Sequence, residues 1–380
     1  MTIQFHSSPS STLGVELEFG LVALDTGELS NRADEVFDEL TRADIVGDGN
    51  LTDRIKRELF QCTLEVITGV CDTVADARTD LTTTLAAVRS ATDPLGLGLL
   101  GSGSHPFADW HALEVSPDHR YQMLIETIQW PARRLAIHGV HFHVGVPSGS
   151  HALAIVASLA HRLPLFLAAS ASSPYWMGDD TGMASCRTKV FEGLPTAGLP
   201  PQLADWSEFE SLMDGLLAAG VISSIREIWW DCRPHPDFGT VELRMCDGLT
   251  NMDDVAALAA LAQSLVAWLV ERIDAGEPLP GAPEWVVREN KWLAARHGLD
   301  TSFIVDDTGR RVDATELLAE LVDELGPTAR RLGCAAELAL VHDLIERGPS
   351  YRRQRRIVAD GGALVDVVAA LVDEHRSGAR

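Results

Sequence analysis

The stretch Leu13–Leu21, LGVELEFGL, alternates strictly between apolar side chains and glycine or glutamate. A period of two is typical of a β-strand that has one apolar and one polar face. The polar face carries Glu16 and Glu18, which lie roughly 7 Å apart along such a strand. Two carboxylates this close repel each other unless a divalent cation or a basic side chain lies between them. An ordinary surface strand is the alternative, and this stretch alone does not decide between the two.

Later segments combine the same alternation with residue types that bind metals or phosphates: Glu65 in TLEVIT, His141 and His143 in GVHFHVGV, and Glu242 and Arg244 in TVELRMCD. Each segment alone has a simpler interpretation, such as a structural histidine or a cross-strand ion pair of little energetic value. Together they predict one sheet with an apolar core face and a charged face. Burying so many carboxylates without cations is unfavourable, so we expect a divalent metal. An oxygen-rich donor set favours magnesium or manganese.

The order of the predicted elements favours an α+β fold around an antiparallel sheet. Strands are predicted at Leu13–Leu21, Glu58–Thr68, Leu95–Ser102, Ile137–Val146, Arg226–Arg233 and Thr240–Asp247, the last two as a hairpin. Helices are predicted at Asp72–Ser90, Arg120–Arg134, His151–Ser170 with a kink at Pro164, Trp206–Ala219, 251–276, 283–297, 313–325, 327–346, 350–358 and 360–376. The sequence lacks β-α-β-α alternation and a glycine-rich phosphate loop, which argues against a dinucleotide-binding or P-loop fold. We expect one domain, with a strand-rich core at 11–250 and a helical part at 251–380.

The composition limits the partners and the compartment. A formal net charge of -24 argues against a nucleic-acid-binding surface. The six cysteines contain no C-x-x-C pair, so we expect reduced thiols and no zinc ribbon. The N-terminal residues lack a signal-peptide pattern, and the uncharged run Val255–Val270 is short of a membrane span. These features predict a cytoplasmic protein with small-molecule partners, and the apolar C-terminal helices are compatible with a homo-oligomer.

Several segments resemble the type-2 glutamate–cysteine ligase family, also called the carboxylate–amine ligases. They are GVELEF at 14–19, TLEVIT at 63–68, HGVHFHVGV at 138–146, SSPYWMGDDTGMASCR at 172–187, EIWWDCRPHPDFGTVELRMCD at 227–247 and ENKWLAARHGLD at 289–300. The likeness covers most of the chain, and several of the matching segments are long. The resemblance implies a catalytic fold like that of glutamine synthetase and the guanido kinases. In that fold a concave sheet face holds ATP and magnesium, for which manganese can substitute, and helices cover the outer face.

The resemblance also implies roles for individual residues. Those matching metal ligands are Glu16, Glu18, Glu65, His141 and Glu242. Arg187 matches an arginine that contacts the amino-acid substrate or its phosphorylated form, and Arg244 matches one near the phosphates. With His141 they are the candidate catalytic residues. Candidates for ATP binding, without individual roles, are Arg233, Asn290, Lys291 and Arg296. His143 lies where the better-studied relatives usually have another polar residue, so its role stays open.

The implied chemistry is ATP-dependent amide formation, with glutamate as the acid and cysteine or another amine as the acceptor. A carboxylate is a poor electrophile, and phosphorylation by ATP turns it into an acyl phosphate with a good leaving group. Phosphoryl transfer needs positioning and charge neutralisation more than a protein nucleophile. Two alternatives remain: a metal-dependent hydrolase that uses the same residues to activate water, and a non-catalytic relative that binds ATP or an amino acid. Nucleotide-dependent turnover separates them.

Overall fold

The computed structural model describes residues 3–8, 11–42 and 52–378. In chain order the strands are β1 (Leu13–Ala23), β2 (Ile55–Arg57), β3 (Thr63–Ile67), β4 (Leu97–Leu100), β5 (Gly139–Gly145), β6 (Tyr175–Trp176), β7 (Asp179–Asp180), β8 (Cys232–His235), β9 (Thr240–Asp247), β10 (Ser302–Ile304) and β11 (Arg311–Asp313). The α-helices are α1 (Ala33–Arg42), α2 (Val74–Thr92), α3 (His119–Ile128), α4 (Trp130–Arg133), α5 (Gly149–Leu159), α6 (Leu163–Ser170), α7 (Cys186–Phe191), α8 (Trp206–Ala218), α9 (Met252–Asp274), α10 (Glu284–His297), α11 (Ala314–Leu332), α12 (Ala335–Arg347), α13 (Ser350–Ala359) and α14 (Leu364–Gly378). Short 3-10 turns lie at Thr52–Arg54, Asp93–Leu95, Trp110–Ala112 and Ile225–Glu227.

Within the described residues, seven strands form one antiparallel sheet in the order β2-β3-β1-β5-β9-β8, and β4 pairs with the end of β1. β1 is central because its 11 residues pair with β3, β4 and β5. The register places three pairs of candidate residues directly opposite each other: Glu16 and His141, Glu18 and Glu65, and His143 and Glu242. Since side chains alternate between the two faces of a sheet, these pairs share the polar face. The predicted α+β fold with an antiparallel sheet is confirmed.

The apolar face of the sheet packs against α2, α5, α6 and α9 in one buried core. The longest of these helices, α9, is apolar enough to cross a membrane by length and composition alone. However, 89% of its most apolar 18-residue window is buried inside the protein, which identifies α9 as a core helix. α11 and α12 pack against its other side. The helical C-terminal third therefore forms the layer behind the sheet.

Two predicted strands begin as turns or loops, and two others are shortened at both ends, Leu95–Ser102 to β4 and Ile137–Val146 to β5. The predicted strand Glu58–Thr68 is instead a turn followed by β3, because Leu59 and Phe60 are both buried in a small cluster and break the alternation. The predicted strand Arg226–Arg233 is reduced to β8, and its first part is a 3-10 turn and a loop. The hairpin between β8 and β9 is present as predicted.

The helical predictions differ in other places. His151–Ser170 is two helices, α5 and α6, with axes bent by 65°, and Pro164 occupies the first turn of α6, where a missing N–H is tolerated. Pro327 does not separate two helices but lies inside α11. The packing of α11 on α9 and α12 outweighs the helix-breaking cost of proline, which is about 3 kcal/mol. α1 and the small hairpin of β10 and β11 were not predicted.

Candidate active site

A cavity of about 1240 Å³ lies over the polar face of the sheet. Its floor is formed by side chains of β1, β3 and β5, and its walls by α3, by the segment 187–196 and by the segment 220–229. Of the predicted site residues, it is lined by Glu16, Glu18, Glu65, His141, Arg187, Arg233 and Arg244. The polar alternation of three separate strands therefore converges on one space.

Three carboxylates form a cluster at one end of this floor. Glu18, Glu58 and Glu65 each offer an oxygen within 4.8 Å of the others. Burial and the charge of Glu18 raise the pKa of Glu58 to about 8. Burial and the charges of the neighbouring glutamates also raise the pKa of Glu65 well above its ordinary value. The cluster thus carries more negative charge than its surroundings neutralise.

Glu16 lies beside this cluster in an imidazole-rich environment. The Nδ1 of His141 lies 2.9 Å from one Glu16 oxygen, and the Nε2 of His143 lies 3.2 Å from the other. Burial alone would raise the pKa of Glu16, but His143 and His141 outweigh it and hold this pKa below its ordinary value. Glu16 is therefore ionised while its neighbours Glu58 and Glu65 resist ionisation. His143, whose role the sequence left open, contacts a predicted metal ligand directly.

Glu242 is almost fully buried between two arginines. Its Oε2 accepts a hydrogen bond of 2.7 Å from Arg233 Nε, and its Oε1 pairs with Arg244. Burial opposes ionisation, but the two guanidinium groups hold the pKa of Glu242 well below its ordinary value. His143 lies 3.9 Å from Glu242, so this residue links the arginine pair to the carboxylate floor. One oxygen each of Glu16 and Glu242 and a nitrogen of His143 also lie within 4.8 Å of one another.

Arg187 reaches the cavity from α7 and is only 3% exposed. Its Nη1 and Nη2 donate long hydrogen bonds of 3.4 and 3.3 Å to the carbonyls of Met245 and Arg244. Its Nε has no partner among the described residues. A Cβ at Gly139 would overlap this guanidinium, so a larger residue there would displace the Arg187 side chain. Arg187 is thus a buried cation whose hydrogen-bonding capacity is largely unused.

Three predicted ATP-binding residues on α10 do not line this cavity. Asn290 forms hydrogen bonds with the backbone of Ile304 in β10. The Lys291 ammonium lies 2.5 Å from Asp231 and 2.7 Å from Glu192. Arg296 donates to the Gly182 carbonyl. The geometry gives each a structural contact, and their contribution to ATP binding stays a prediction.

Comparisons with known proteins identify the family of this chain. The family model for glutamate–cysteine ligase family 2 matches residues 12–370. The chain belongs to this family. A relative from Thermobifida fusca named "Putative glutamate–cysteine ligase 2" is 48% identical, over 100% of this chain and 94% of the relative. A "Putative glutamate–cysteine ligase 2-1" from Frankia alni is 50% identical, over 100% and 98%.

Solved structures show the same fold at low sequence identity. The glutamate–cysteine ligase of Francisella tularensis, solved in complex with AMP, has a TM-score of 0.68 and 14% identity, covering 98% of this chain and 90% of that one. A bifunctional glutathione synthetase from Pasteurella multocida has a TM-score of 0.67 and 14% identity, covering 97% and 52%. The predicted family is confirmed. As a family member, the chain is an ATP-dependent ligase that joins a carboxylate to an amine.

The family motifs did not identify every charged residue of the cavity. Glu58 lies at the start of a predicted strand, and no motif marks it as a site residue. The motifs also leave out three basic residues that line the cavity: Lys56, Arg120 and Arg226. One signal was available, because Lys56 lies two residues before Glu58 in a short polar run. In the structure, Lys56 pairs across the strands with Glu65.

The donor set of this family member fits magnesium. The cluster of Glu18, Glu58 and Glu65 offers only carboxylate oxygens, the ligands that hard divalent cations prefer. The raised pKa values of Glu58 and Glu65 indicate that a positive charge is missing among them. A cation bound there would restore the ionised form of both. Among the described residues, none of the groups able to hold a metal ion contains a cysteine.

This charge imbalance predicts a stability effect at Glu58. Its folded-state pKa of about 8 lies above its unfolded value, so folding takes up a proton between these two values. When a chelator removes divalent cations, the contribution of Glu58 to the free energy of unfolding should therefore fall as the pH rises from about 5 to 8. Thermal denaturation should show a smaller drop in Tm over this window for Glu58→Gln than for wild type.

Magnesium provides the second arm of this experiment. Saturating Mg²⁺ should raise the Tm of wild type at pH 8, because the cation binds the folded state alone. The same addition should have a much smaller effect on Glu58→Gln. An equal Mg²⁺ response in both proteins would contradict a role for Glu58 in cation binding.

Proposed function

We propose that this ligase joins the γ-carboxylate of glutamate to the amino group of cysteine or another amine, through an acyl phosphate formed with Mg²⁺-ATP. The observation that carries this proposal is the position of Arg187. It is a buried guanidinium without a carboxylate partner among the described residues, and it opens into the same cavity as the carboxylate cluster. A bidentate interaction with a carboxylate or phosphate would use its free donors.

Different residues of the cavity would bind the metal, the acid and the phosphates during phosphoryl transfer. Glu16, Glu18, Glu58 and Glu65 would hold magnesium. When bound, the metal neutralises the charge of the ATP phosphates and orients them. Arg187 would bind the acid and lower the charge repulsion between its carboxylate and the γ-phosphoryl group. Glu242 fixes Arg233 and Arg244 at the edge of the cavity, where they can contact phosphate oxygens.

The bond changes can be written without a protein nucleophile. A carboxylate oxygen of the acid attacks the γ-phosphorus, and ADP leaves. The amine then attacks the acyl carbon, inorganic phosphate leaves with that oxygen, and the nitrogen loses a proton. Cys186 lies next to Arg187, but burial raises its thiol pKa to about 12, so a thiolate is not available there. This supports direct transfer to the acid.

His141 is our candidate for assisting the amine. Its Nδ1 lies at hydrogen-bond distance from Glu16, so an Nδ1–H would donate to this carboxylate and leave Nε2 able to accept a proton. His141 also lines the cavity. We therefore assign it either to the metal cluster or to proton removal from the attacking amine.

The products of turnover test the mechanism. We expect ADP and phosphate, never AMP and pyrophosphate, and only when an acid and an amine are both present. An acid labelled with heavy oxygen in its carboxylate should transfer one labelled oxygen to each released phosphate. A panel of amino-acid pairs measured for ADP formation would identify the substrates. Unlabelled phosphate, or AMP as the product, would overturn the acyl-phosphate mechanism. Phosphate release without amide formation would favour a hydrolase.

We further infer that the chain is one catalytic domain, because a single buried core includes residues of both the strand-rich part and the helical part, from β1 to α12. The reduced cysteines favour the cytoplasm as its compartment. Its partners would be ATP, an acid and an amine, and the formal net charge of -24 disfavours a nucleic acid. A homo-oligomer stays a prediction.

A further inference from the structure

Asp247 is a fully buried carboxylate that the mechanism above does not use. It is the last residue of β9 and has no exposed surface. Its Oδ2 accepts hydrogen bonds of 2.9 Å from Ser172 N and 2.6 Å from Ser173 Oγ. Its Oδ1 accepts one of 2.7 Å from Ser185 Oγ. Burial of a carboxylate is unfavourable without hydrogen-bond donors, and these three hydrogen bonds compensate for it.

These partners belong to the loop and helix that carry Arg187. Ser185 is the N-cap of α7, and its hydroxyl accepts from the backbone N–H of Thr188. The Ser173 hydroxyl, which donates to Asp247, accepts a hydrogen bond of 3.1 Å from the backbone N–H of Arg187. The Asp247 carboxylate therefore orients two hydroxyls, and each hydroxyl in turn holds the first turn of α7.

The Arg187 side chain is buried and its Cζ lies 5.7 Å from the centre of the Phe191 ring in the same helix, but it has few hydrogen bonds that could fix its direction. Its two carbonyl hydrogen bonds are longer than 3.2 Å, the usual upper limit, and they are correspondingly weak. Its position must therefore come mainly from its backbone. Burial raises the pKa of Asp247, and the nearby Arg187 charge opposes this rise, yet Asp247 directs its hydrogen bonds to serine groups. The Asp247 carboxylate thus lies near Arg187 without binding its guanidinium, whose N–H donors remain available for a ligand.

We propose that Asp247 is a positioning residue, which holds Arg187 in register with the acid substrate through the Ser173 and Ser185 hydroxyls. This proposal rests on the proposed function, in which Arg187 binds the acid. Asp247 does not line the cavity. Its removal should alter the placement of one cavity residue and leave the carboxylate cluster intact.

The first experiment measures the effect of Asp247→Asn on each substrate. The amide keeps the shape of the side chain but puts an NH₂ donor against groups that also donate. We expect the KM for the acid to rise on the order of tenfold while the KM for ATP stays within about twofold. A loss of structure alone would change both. Ser185→Ala, which removes one of the two hydroxyls, should shift the acid KM in the same direction by less, and it replaces Asp247→Asn if that variant fails to fold.

A matched control is Asp254→Asn, which changes another buried carboxylate of the core. Asp254 in α9 is 4% exposed and pairs with Arg347, away from the cavity. We expect this variant to lose thermal stability and to keep both KM values. Selective loss of acid affinity in Asp254→Asn as well would overturn the assignment to Asp247.

A double-mutant cycle tests whether Asp247 acts through Arg187. In an Arg187→Lys background, Asp247→Asn should change kcat/KM for the acid by less than about twofold, because the group that it positions is already absent. If the two substitutions lowered kcat/KM for the acid independently, so that their effects multiplied in the double variant, Asp247 would act by another route and the proposal would be overturned.

Hydrogen exchange separates this inference from the proposed function. In Asp247→Asn the amides of residues 183–191 should exchange at least about tenfold faster, whereas those of α9 should not change. Unchanged exchange in 183–191 overturns the positioning role whatever the activity. The variant could show faster exchange while the wild-type protein forms no ADP with any acid–amine pair. That result would support the positioning of Arg187 and would overturn the proposed function alone.

Discussion

Replacing Glu18 with glutamine is expected to reduce kcat on the order of a thousandfold and to weaken the dependence of the rate on Mg²⁺. Glu18 lies opposite Glu65 in the sheet and shares the carboxylate cluster with Glu58. A neutral amide is a much weaker ligand for a hard cation than a carboxylate. Steady-state kinetics at several Mg²⁺ concentrations measure both effects.

The fold should survive this change. Glu18 accepts a hydrogen bond from the backbone N–H of Gly139, and the oxygen of a glutamine amide can accept the same bond. The lost charge also relieves repulsion within the cluster, so the Tm in a chelator should equal or exceed that of wild type. Glu28→Gln, at an exposed position soon after β1, is the charge-matched control and should remain fully active. If Glu18→Gln retained wild-type turnover and Mg²⁺ dependence, the cluster would not be the metal site.

The polar face of the sheet was largely predictable from the sequence. In β1 and β5 the period-two alternation assigns each side chain to a face, because the geometry of a strand leaves no other choice. Glu16, Glu18 and His141 therefore lie on the predicted face and in the predicted cavity. Their strand partners were not predictable, since register depends on contacts between distant segments. The three pairs of opposite residues appear only in the structure.

Residues outside regular alternation were the difficult ones. Glu58 enters the carboxylate cluster from a turn, where the direction of a side chain is set by the packing of the following Leu59 and Phe60. β9 carries an irregularity, since Phe142 lies opposite Leu243 but Val140 lies opposite Cys246. Simple alternation cannot describe a strand with such an extra residue.

The predicted ATP-binding residues of α10 lie outside the cavity, and their contribution to ATP binding stays a prediction. Asn290 and Lys291 are adjacent in α10, and their side chains contact different parts of the protein. Lys291 holds Asp231 and Glu192, the residues next to β8 and at the end of α7. A helix presents consecutive residues about 100° apart around its axis, so a helical motif does not converge on one site as a strand face does.

The exchange of Arg187 for lysine is the second change with a large expected effect. We expect kcat/KM for the acid to fall on the order of a hundredfold, since one ammonium cannot reproduce a bidentate contact with a carboxylate or phosphate. The positive charge is conserved, so the loss would report geometry and not net charge. Lysine also has one terminal nitrogen where arginine has two, so it cannot keep both contacts with the carbonyls of Arg244 and Met245. Kinetics with the acid as the varied substrate give the measurement.

The control for this exchange is Arg288→Lys in α10, an arginine with a 73% exposed side chain and only an ion pair with Glu284 one turn away. Because exposed pairs of this kind contribute little, this variant should keep full activity. Titration with the acid should further show that Arg187→Lys binds it more weakly while ATP affinity is retained. A catalytic efficiency within about threefold of wild type, well under the roughly 1.4 kcal/mol of a tenfold change, would remove Arg187 from substrate binding. Other cations of the cavity, such as Lys56 and Arg120, would then be the candidates for holding the acid.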